Sequence, residues 1–308
     1  VPLPAALEGR LALPAVAAPM FLVSGPDLVV ETCRAGVLGT FPSLNQRSTA
    51  GYLDWLAEIR ERLAPEPEAA PFGVNLIVHR TNKRLEADLA ATVEQRVPLV
   101  ITSLGAVPEV VQAVQGYGGL VFHDVISRRH AEKAAEAGVD GLIAVCAGAG
   151  GHAGTLSPFA FLPEIRRFFD KTLILSGAIG SGSQIAAARL LGADLAYLGT
   201  RFIATRESLA SEGHKRMIVE AGTKDLIYTP AISGVPANFL RASLVAAGLD
   251  PEALPSGAKM DMSDEARVWR DIWSAGQGAA TIDDLPSVAE LCERLKREYR
   301  AALAGLRD

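Results

Sequence analysis

The sequence predicts a (β/α)8 TIM barrel carrying a smaller, mostly helical inserted domain, and three observations predict it. Eight short apolar runs recur at 15–18, 36–40, 72–76, 99–102, 119–123, 141–147, 173–176 and 193–199. Most intervals between them carry helical patterning, and several of those helices end on glycine just before the next run. Runs rich in Val, Leu and Ile that alternate with amphipathic helices imply parallel strands covered on both faces. Eight such units fit a closed barrel better than an open doubly wound sheet, which is the alternative.

The elements follow in order. After the run at 15–18 comes Ala18-Pro-Met-Phe21, a candidate loop at a strand end. The stretch 64–71, with three prolines and two glutamates, reads as a surface loop. Segments 86–96, 127–137 and 181–191 mix Ala, Leu, Glu, Gln or Arg with an apolar face and read as helices. The pairs Ala35-Gly36, Ala137-Gly138 and Leu191-Gly192 mark helix ends followed by a turn into a strand. Ser181 and Gln184 have the spacing of a capping box, in which each side chain bonds the other's backbone N–H. After Arg201 the alternation stops. Residues 1–207 with 266–308 therefore form the predicted barrel, and 208–265 a helical and loop insert that caps it. Segment 267–278 returns to the barrel, and 282–303 is a closing amphipathic helix.

Composition narrows the class of protein. Hydrophobic residues make up 49% and charged residues 21%, ordinary for a soluble globular enzyme. A net charge of −5 argues against a nucleic-acid or anionic-membrane partner, which calls for basic clusters. Val1-Pro-Leu-Pro-Ala5 has neither the basic start nor the apolar core of a secretory signal. The uncharged run 141–163 contains five glycines, two prolines and His152, which excludes a membrane span. Cys33, Cys146 and Cys292 are few and far apart, as expected of reduced thiols in a cytoplasmic protein. No HExxH, CxxC or P-loop spacing is present, so no metal ligand set is expected.

The strongest functional signal is the apolar run ending at Ala147, followed at once by Gly148-Ala-Gly-Gly-His-Ala-Gly154. Glycine permits φ > 0 and close approach of a ligand, and histidine suits proton transfer near neutral pH. His152 is thus the candidate catalytic residue; its plainer alternative is a cap on a loop carbonyl. Residues 148–153 also fit the G-x-G-x-x-G/A dinucleotide pattern, with Asp170 at a suitable distance. That pattern requires a helix to open on the glycines, and Pro158 prevents it. The loops after the seventh and eighth runs, Ser176-Gly-Ala-Ile-Gly-Ser-Gly-Ser183 and Gly199-Thr-Arg-Phe202, stand where barrels commonly bind phosphate. Tight turns alone would also use such glycines.

Taken together, Ala18-Pro-Met-Phe21, Phe72-Gly-Val-Asn-Leu76, Gly150-Gly-His-Ala-Gly154, Ser176-Gly177, Gly199-Thr-Arg-Phe202 and Trp273-Ser-Ala-Gly-Gln-Gly278 resemble the nitronate monooxygenase family, formerly 2-nitropropane dioxygenases. The resemblance covers most of the chain and is weakest over 208–265. It implies an FMN-dependent barrel oxidising alkyl nitronates with O2, with His152 as base or polar anchor. It implies that Met20 and its neighbours Ala18 and Pro19 present backbone groups to the flavin ring, and that Asn75 bonds its pyrimidine edge. Met20 could equally fill the core, and Asn75 could form an Asx turn. Ser176, Gly177, Ala178, Gly199 and Thr200 would surround the phosphate, and Ala147, Gly150 and Gly151 the cofactor. Ser274, Gly276 and Gln277 would line the flavin or substrate pocket. Two positions depart from the family. Relatives often carry His-Lys where this chain has His123-Asp124, and a second loop glycine where it has Ala178. Asp124 is thus a cofactor neighbour of the wrong charge to stabilise an anionic reduced flavin.

The same motifs fit an NAD(P)H-dependent reductase of quinones or enoyl thioesters. They also fit a flavin-binding sensor whose insert docks a partner. His79, His130 and His214 read as surface residues. The sequence leaves the physiological substrate and the oligomeric state open.

Overall fold

Each predicted run forms a strand. In the computed structural model, which describes residues 3–105, 107–254 and 271–305, the barrel strands are β1 (Ala15–Ala17), β2 (Leu38–Pro42), β3 (Phe72–Ile77), β4 (Leu99–Ser103), β5 (Leu120–Val125) and β6 (Gly141–Val145). After the short β7 (Gly151–His152), β8 (Thr172–Ser176) and β9 (Leu195–Leu198) complete it. All neighbours are parallel, and β9 pairs with β1 to close the barrel. Between the strands run α1 (Pro26–Arg34), α2 (Thr49–Leu63), α3 (Leu85–Glu94), α4 (Pro108–Gln115), α5 (Arg128–Glu136), α6 (Pro158–Arg166) and α7 (Gly182–Leu190).

Alternation along the strands builds two cores. Ala15 and Ala17 pack outward against the helices, whereas Val16 joins Leu38, Ile101, Phe122, Ile143 and Ile174 inside the barrel. Gly141 makes room for the Phe122 ring: a Cβ there would lie 2.6 Å from it. The turns predicted at Gly36, Gly138 and Gly192 all have positive φ, between 75° and 101°. The Ser181–Gln184 capping box opens α7, and the glycine loop at 148–154 precedes α6, which starts only at Pro158.

Beyond β9 come the one-turn α8 (Thr200–Ile203), then α9 (Glu212–Glu220), β10 (Leu226–Thr229), β11 (Ala237–Leu240) and α10 (Arg241–Ala246). The chain ends in α11 (Val288–Ala304), which packs on α1 and α7. This helix starts later than the predicted 282, because the Ser287–Glu290 capping box sets its first turn. The region expected to be helices and loops also contains strands: β10, β11 and β7 form an antiparallel sheet. Residues 255–265 of the predicted insert and 266–270 of the predicted barrel portion 266–308 lie outside the described residues. Among those described, no helix is long and apolar enough to cross a membrane.

Candidate active site

The carboxyl ends of the barrel strands, where barrel enzymes place their chemistry, open into a cavity of about 930 Å³. Every predicted site residue except Ala147 and Gln277 borders it. Those two are exposed, and Gln277 acts on the neighbouring loop instead, its N–H donating to Gly148 O at 2.8 Å.

The loop after β1 forms one wall and is tied down. Asn45 Nδ2 donates to Met20 O and Ser24 O, Asn45 Oδ1 accepts from Leu22 N, and Met20 N donates to Ser24 Oγ. The Met20 backbone groups, expected to face the flavin, are thus engaged by Ser24 and by Asn45 from beyond β2. Its thioether, next to Gly199, is what borders the cavity. Leu22 and Leu104 both take left-handed φ (61° and 66°) as they present apolar side chains to the cavity. For non-glycine residues such backbone marks a constrained site.

Asn75 on β3 spends both amide hydrogens, on Ile101 O (3.1 Å) and Ser103 Oγ (2.8 Å). Its carbonyl oxygen remains to meet a ligand, so it serves as an acceptor for an N–H. Ser103 in turn donates to Asp124 Oδ2 at 2.6 Å. Burial raises the Asp124 carboxyl to about 6, opposed by that hydrogen bond. His123 Nδ1 lies 2.7 Å from Thr102 Oγ1, and burial lowers its imidazole to about 4.

His152 occupies β7, and the insert clamps its loop from several sides. Residues 151 and 152 pair with Asn238 and Ala237 of β11. Asn238 Nδ2 donates to Ala149 O (2.7 Å), and Tyr228 Oη to Ala153 O (2.8 Å). Burial lowers the His152 imidazole to about 4, so it is neutral at pH 7 and able to accept a proton.

The two predicted phosphate loops reach the same cavity: Ser176, Gly177 and Ala178 after β8, and Gly199 and Thr200 after β9. Gly177 has φ 142° and Ala178 φ 55°, so the loop keeps a left-handed turn even where the second glycine is replaced. Gly150 and Gly276 touch backbone to backbone; a Cβ on Gly150 would lie 2.7 Å from Gly276 N. Gly276 N donates to Thr200 Oγ1 at 2.8 Å, leaving the hydroxyl hydrogen for a ligand.

His214 corrects the sequence reading, which put it on the surface. It is buried, stacks on Trp273 with ring centroids 5.2 Å apart, and its Nε2 lies 3.1 Å from Ser274 O. Helical periodicity with Lys215 alongside hid it, because its cover comes from a distant segment. Tyr197 at the cavity was likewise missed, and Trp273 was read only as part of its motif, with no role of its own. His130, expected at the surface, is exposed and borders the mouth with Lys133. Among the described residues no cluster of His, Cys, Asp and Glu could hold a metal ion.

A closed barrel whose histidine loop and small-residue loops converge on one cavity has the layout of a barrel-enzyme site. The chain belongs to the nitronate monooxygenase family, whose model matches residues 9–298. It is 30% identical to the nitronate monooxygenase of Paraburkholderia phytofirmans, over 96% of this chain and 94% of that protein. The structure of nitroalkane oxidase from Streptomyces ansochromogenes superposes with a TM-score of 0.84 at 26% identity, covering 98% of this chain and 100% of that one. FabK from Thermotoga maritima superposes with a TM-score of 0.81 at 26% identity, covering 97% and 96%. The protein is accordingly a flavin-dependent oxidoreductase.

Proposed function

We propose that this protein is an FMN-dependent nitronate monooxygenase that oxidises alkyl nitronates with O2 to a carbonyl compound and nitrite. The observation that carries the reading is His152, neutral and clamped on its glycine loop, at a cavity that also takes in both phosphate-type loops.

The residues present fit FMN. Gly150 and Gly177 both border the cavity and let its loops pack closely, since a Cβ at either would meet protein backbone within 3.0 Å. Thr200 keeps a hydroxyl hydrogen for a phosphate oxygen, and Asn75 keeps an acceptor for a ring N–H. Bound there, FMN supplies the electron acceptance and the reaction with O2 that no amino-acid side chain provides. The chain's own work is binding, orientation and proton handling. His152 takes the proton from carbon when the substrate arrives as a neutral nitroalkane. An anionic nitronate beside the ring favours the imidazolium, which then holds the nitro oxygens by charge and hydrogen bond. Leu22, Leu104, Ile126 and Leu209 offer an apolar wall for the alkyl part.

The test is an anaerobic titration of the purified yellow protein, following the flavin absorbance. Bleaching by propyl-2-nitronate, with NADH and NADPH inert, is the expected result. Prompt bleaching by either nucleotide would replace this reading with an NAD(P)H-dependent reductase. His130 and Lys133 at the mouth, as seats for nucleotide phosphates, favour that second reading.

A further inference from the structure

The cavity carries a directed chain of polar groups, of which the proposed chemistry uses only the Asn75 carbonyl oxygen. Asn75 Nδ2 donates to Ser103 Oγ, and Ser103 Oγ donates to Asp124 Oδ2. The direction is fixed. The second Asn75 amide hydrogen goes to Ile101 O, which can only accept, so the Asn75 nitrogen and oxygen cannot be exchanged. Ser103 therefore has one hydrogen left to give, and it goes to Asp124.

The other carboxyl oxygen, Asp124 Oδ1, is covered by protein yet receives no hydrogen bond among the described residues. Among the described residues no cation compensates it. Across the sheet its neighbours are Ser103 on β4 and Ile143 on β6. Tyr197 of β9 feels its charge, and the buried phenol is held well above its ordinary value, hence neutral. His123, one residue back on the same strand, is neutral at pH 7 as well. His130 and Lys133 of α5 border the cavity only at its mouth, and neither contributes to the balance at Asp124, which burial and Ser103 set.

A covered carboxylate oxygen without a donor is an unsatisfied acceptor. Because protein covers it, what relieves it is a proton on the carboxyl itself. Negative charge entering or forming in the same cavity repels the carboxylate and favours that proton. We propose that Asp124 is the charge-compensating group of this site: it takes up a proton from solvent on Oδ1 when an anion enters or forms in the cavity, and so removes its own negative charge from beside it. The step is a proton transfer alone. The carboxylate gains one proton, one Oδ1–H bond forms, and no electrons move through the residue. The anions in question are a nitronate and the charge that two-electron reduction leaves on the cofactor, so the proposal rests on the flavoenzyme reading. In this way a carboxyl does the work of a fixed cation, but only while it can hold a proton. The apo carboxyl stands at about 6, close enough to neutrality for a neighbouring negative charge to bring the proton on.

The experiment is spectroelectrochemical reduction of the holoenzyme between pH 5 and 8.5, for wild type and Asp124→Asn. Above pH 6 the wild type should take up one more proton per two electrons than the variant. That is a tenfold change per pH unit, or about 30 mV per pH unit of extra slope for a two-electron couple. Below the titration the two lines should run parallel. Equal slopes throughout would overturn the proposal. A second measurement uses the flavin-free protein with carbon-13 in its aspartate carboxyls. One resonance should titrate near pH 6, be absent from Asp124→Asn, and move up in Ser103→Ala, which loses the bond that favours the anion. Titration of that resonance in the ordinary carboxylate range would equally sink the idea. A protein that binds no flavin at all would fail the functional reading, while the resonance would still report on Asp124.

Discussion

Replacing Gly150 with alanine tests how closely the histidine loop and the returning segment are fitted together. The new Cβ would lie 2.7 Å from Gly276 N, 3.0 Å from the Ala275 carbonyl carbon and 3.2 Å from Thr200 Oγ1. Two of those atoms are backbone, so no rotamer change relieves the contact, and the 275–276 segment must retreat. The retreat strains the hydrogen bond from Gly276 N to Thr200 Oγ1. Overpacking of this kind costs about 1–3 kcal/mol, and a lost hydrogen bond adds about 1 kcal/mol. With about 2.1 cal/mol/K of unfolding entropy per residue over 308 residues, a loss of about 3 kcal/mol lowers Tm by about 5 °C. Calorimetry and the flavin-to-protein ratio of the purified variant read both consequences. The expected result is a lower Tm together with a depleted cofactor. A variant with wild-type Tm and full flavin would refute the claim that these glycines meet backbone to backbone.

Three further outcomes are expected. His152→Ala should keep its flavin and lose about 10²–10⁴ in turnover of a neutral nitroalkane, with a smaller loss on the preformed nitronate; equal losses on the two would argue against a role as base. Ala178→Gly should raise Tm by about 1 °C, because it relieves the left-handed φ of 55° at a penalty of about 1 kcal/mol; a lower Tm would show that the Ala178 methyl packs better than its backbone suggests. Acidification should destabilise the protein between pH 6.5 and 4. His123, His152 and His214 are each lowered to about 4, so the unfolded chain binds their protons first and stability falls as pH falls. Asp124, raised to about 6, has the opposite sign and offsets one of the three. The net excess of roughly two protons at pH 5 gives a slope of about 2.7 kcal/mol per pH unit, read from urea midpoints at pH 5, 6 and 7.

The barrel was legible because its signals are local. An apolar run, a glycine stop and a serine cap can each be read within a few residues, and the strands fell within a few residues of their predicted bounds. The small-residue loops were legible for the same reason: a barrel brings consecutive strand ends together, so position along the chain predicts position at the mouth. What stayed hidden depends on distant partners. β7 is two residues long and exists because Ala237 and Asn238 pair with it. His214 is buried by Trp273, far along the chain. That Asn75 has no hydrogen left to give is a matter of Ile101 and Ser103, which no spacing rule connects to it.

The small sheet of β10, β11 and β7 would make the proposed cap and the proposed base a single mechanical part. A cover hinged independently could lift to admit a substrate and leave the reacting group in place. Here the strand that bears His152 is stitched to the cover's own strand, and Asn238 and Tyr228 fasten the loop on either side of it. Any outward swing of β11 carries the imidazole with it. An open molecule would thus be disarmed, and reclosure would rearm it, so that proton transfer and exclusion of solvent begin together. Amide hydrogens of residues 151–152 and 237–238 should then exchange at one common rate, slower than those of the exposed loop tips around them.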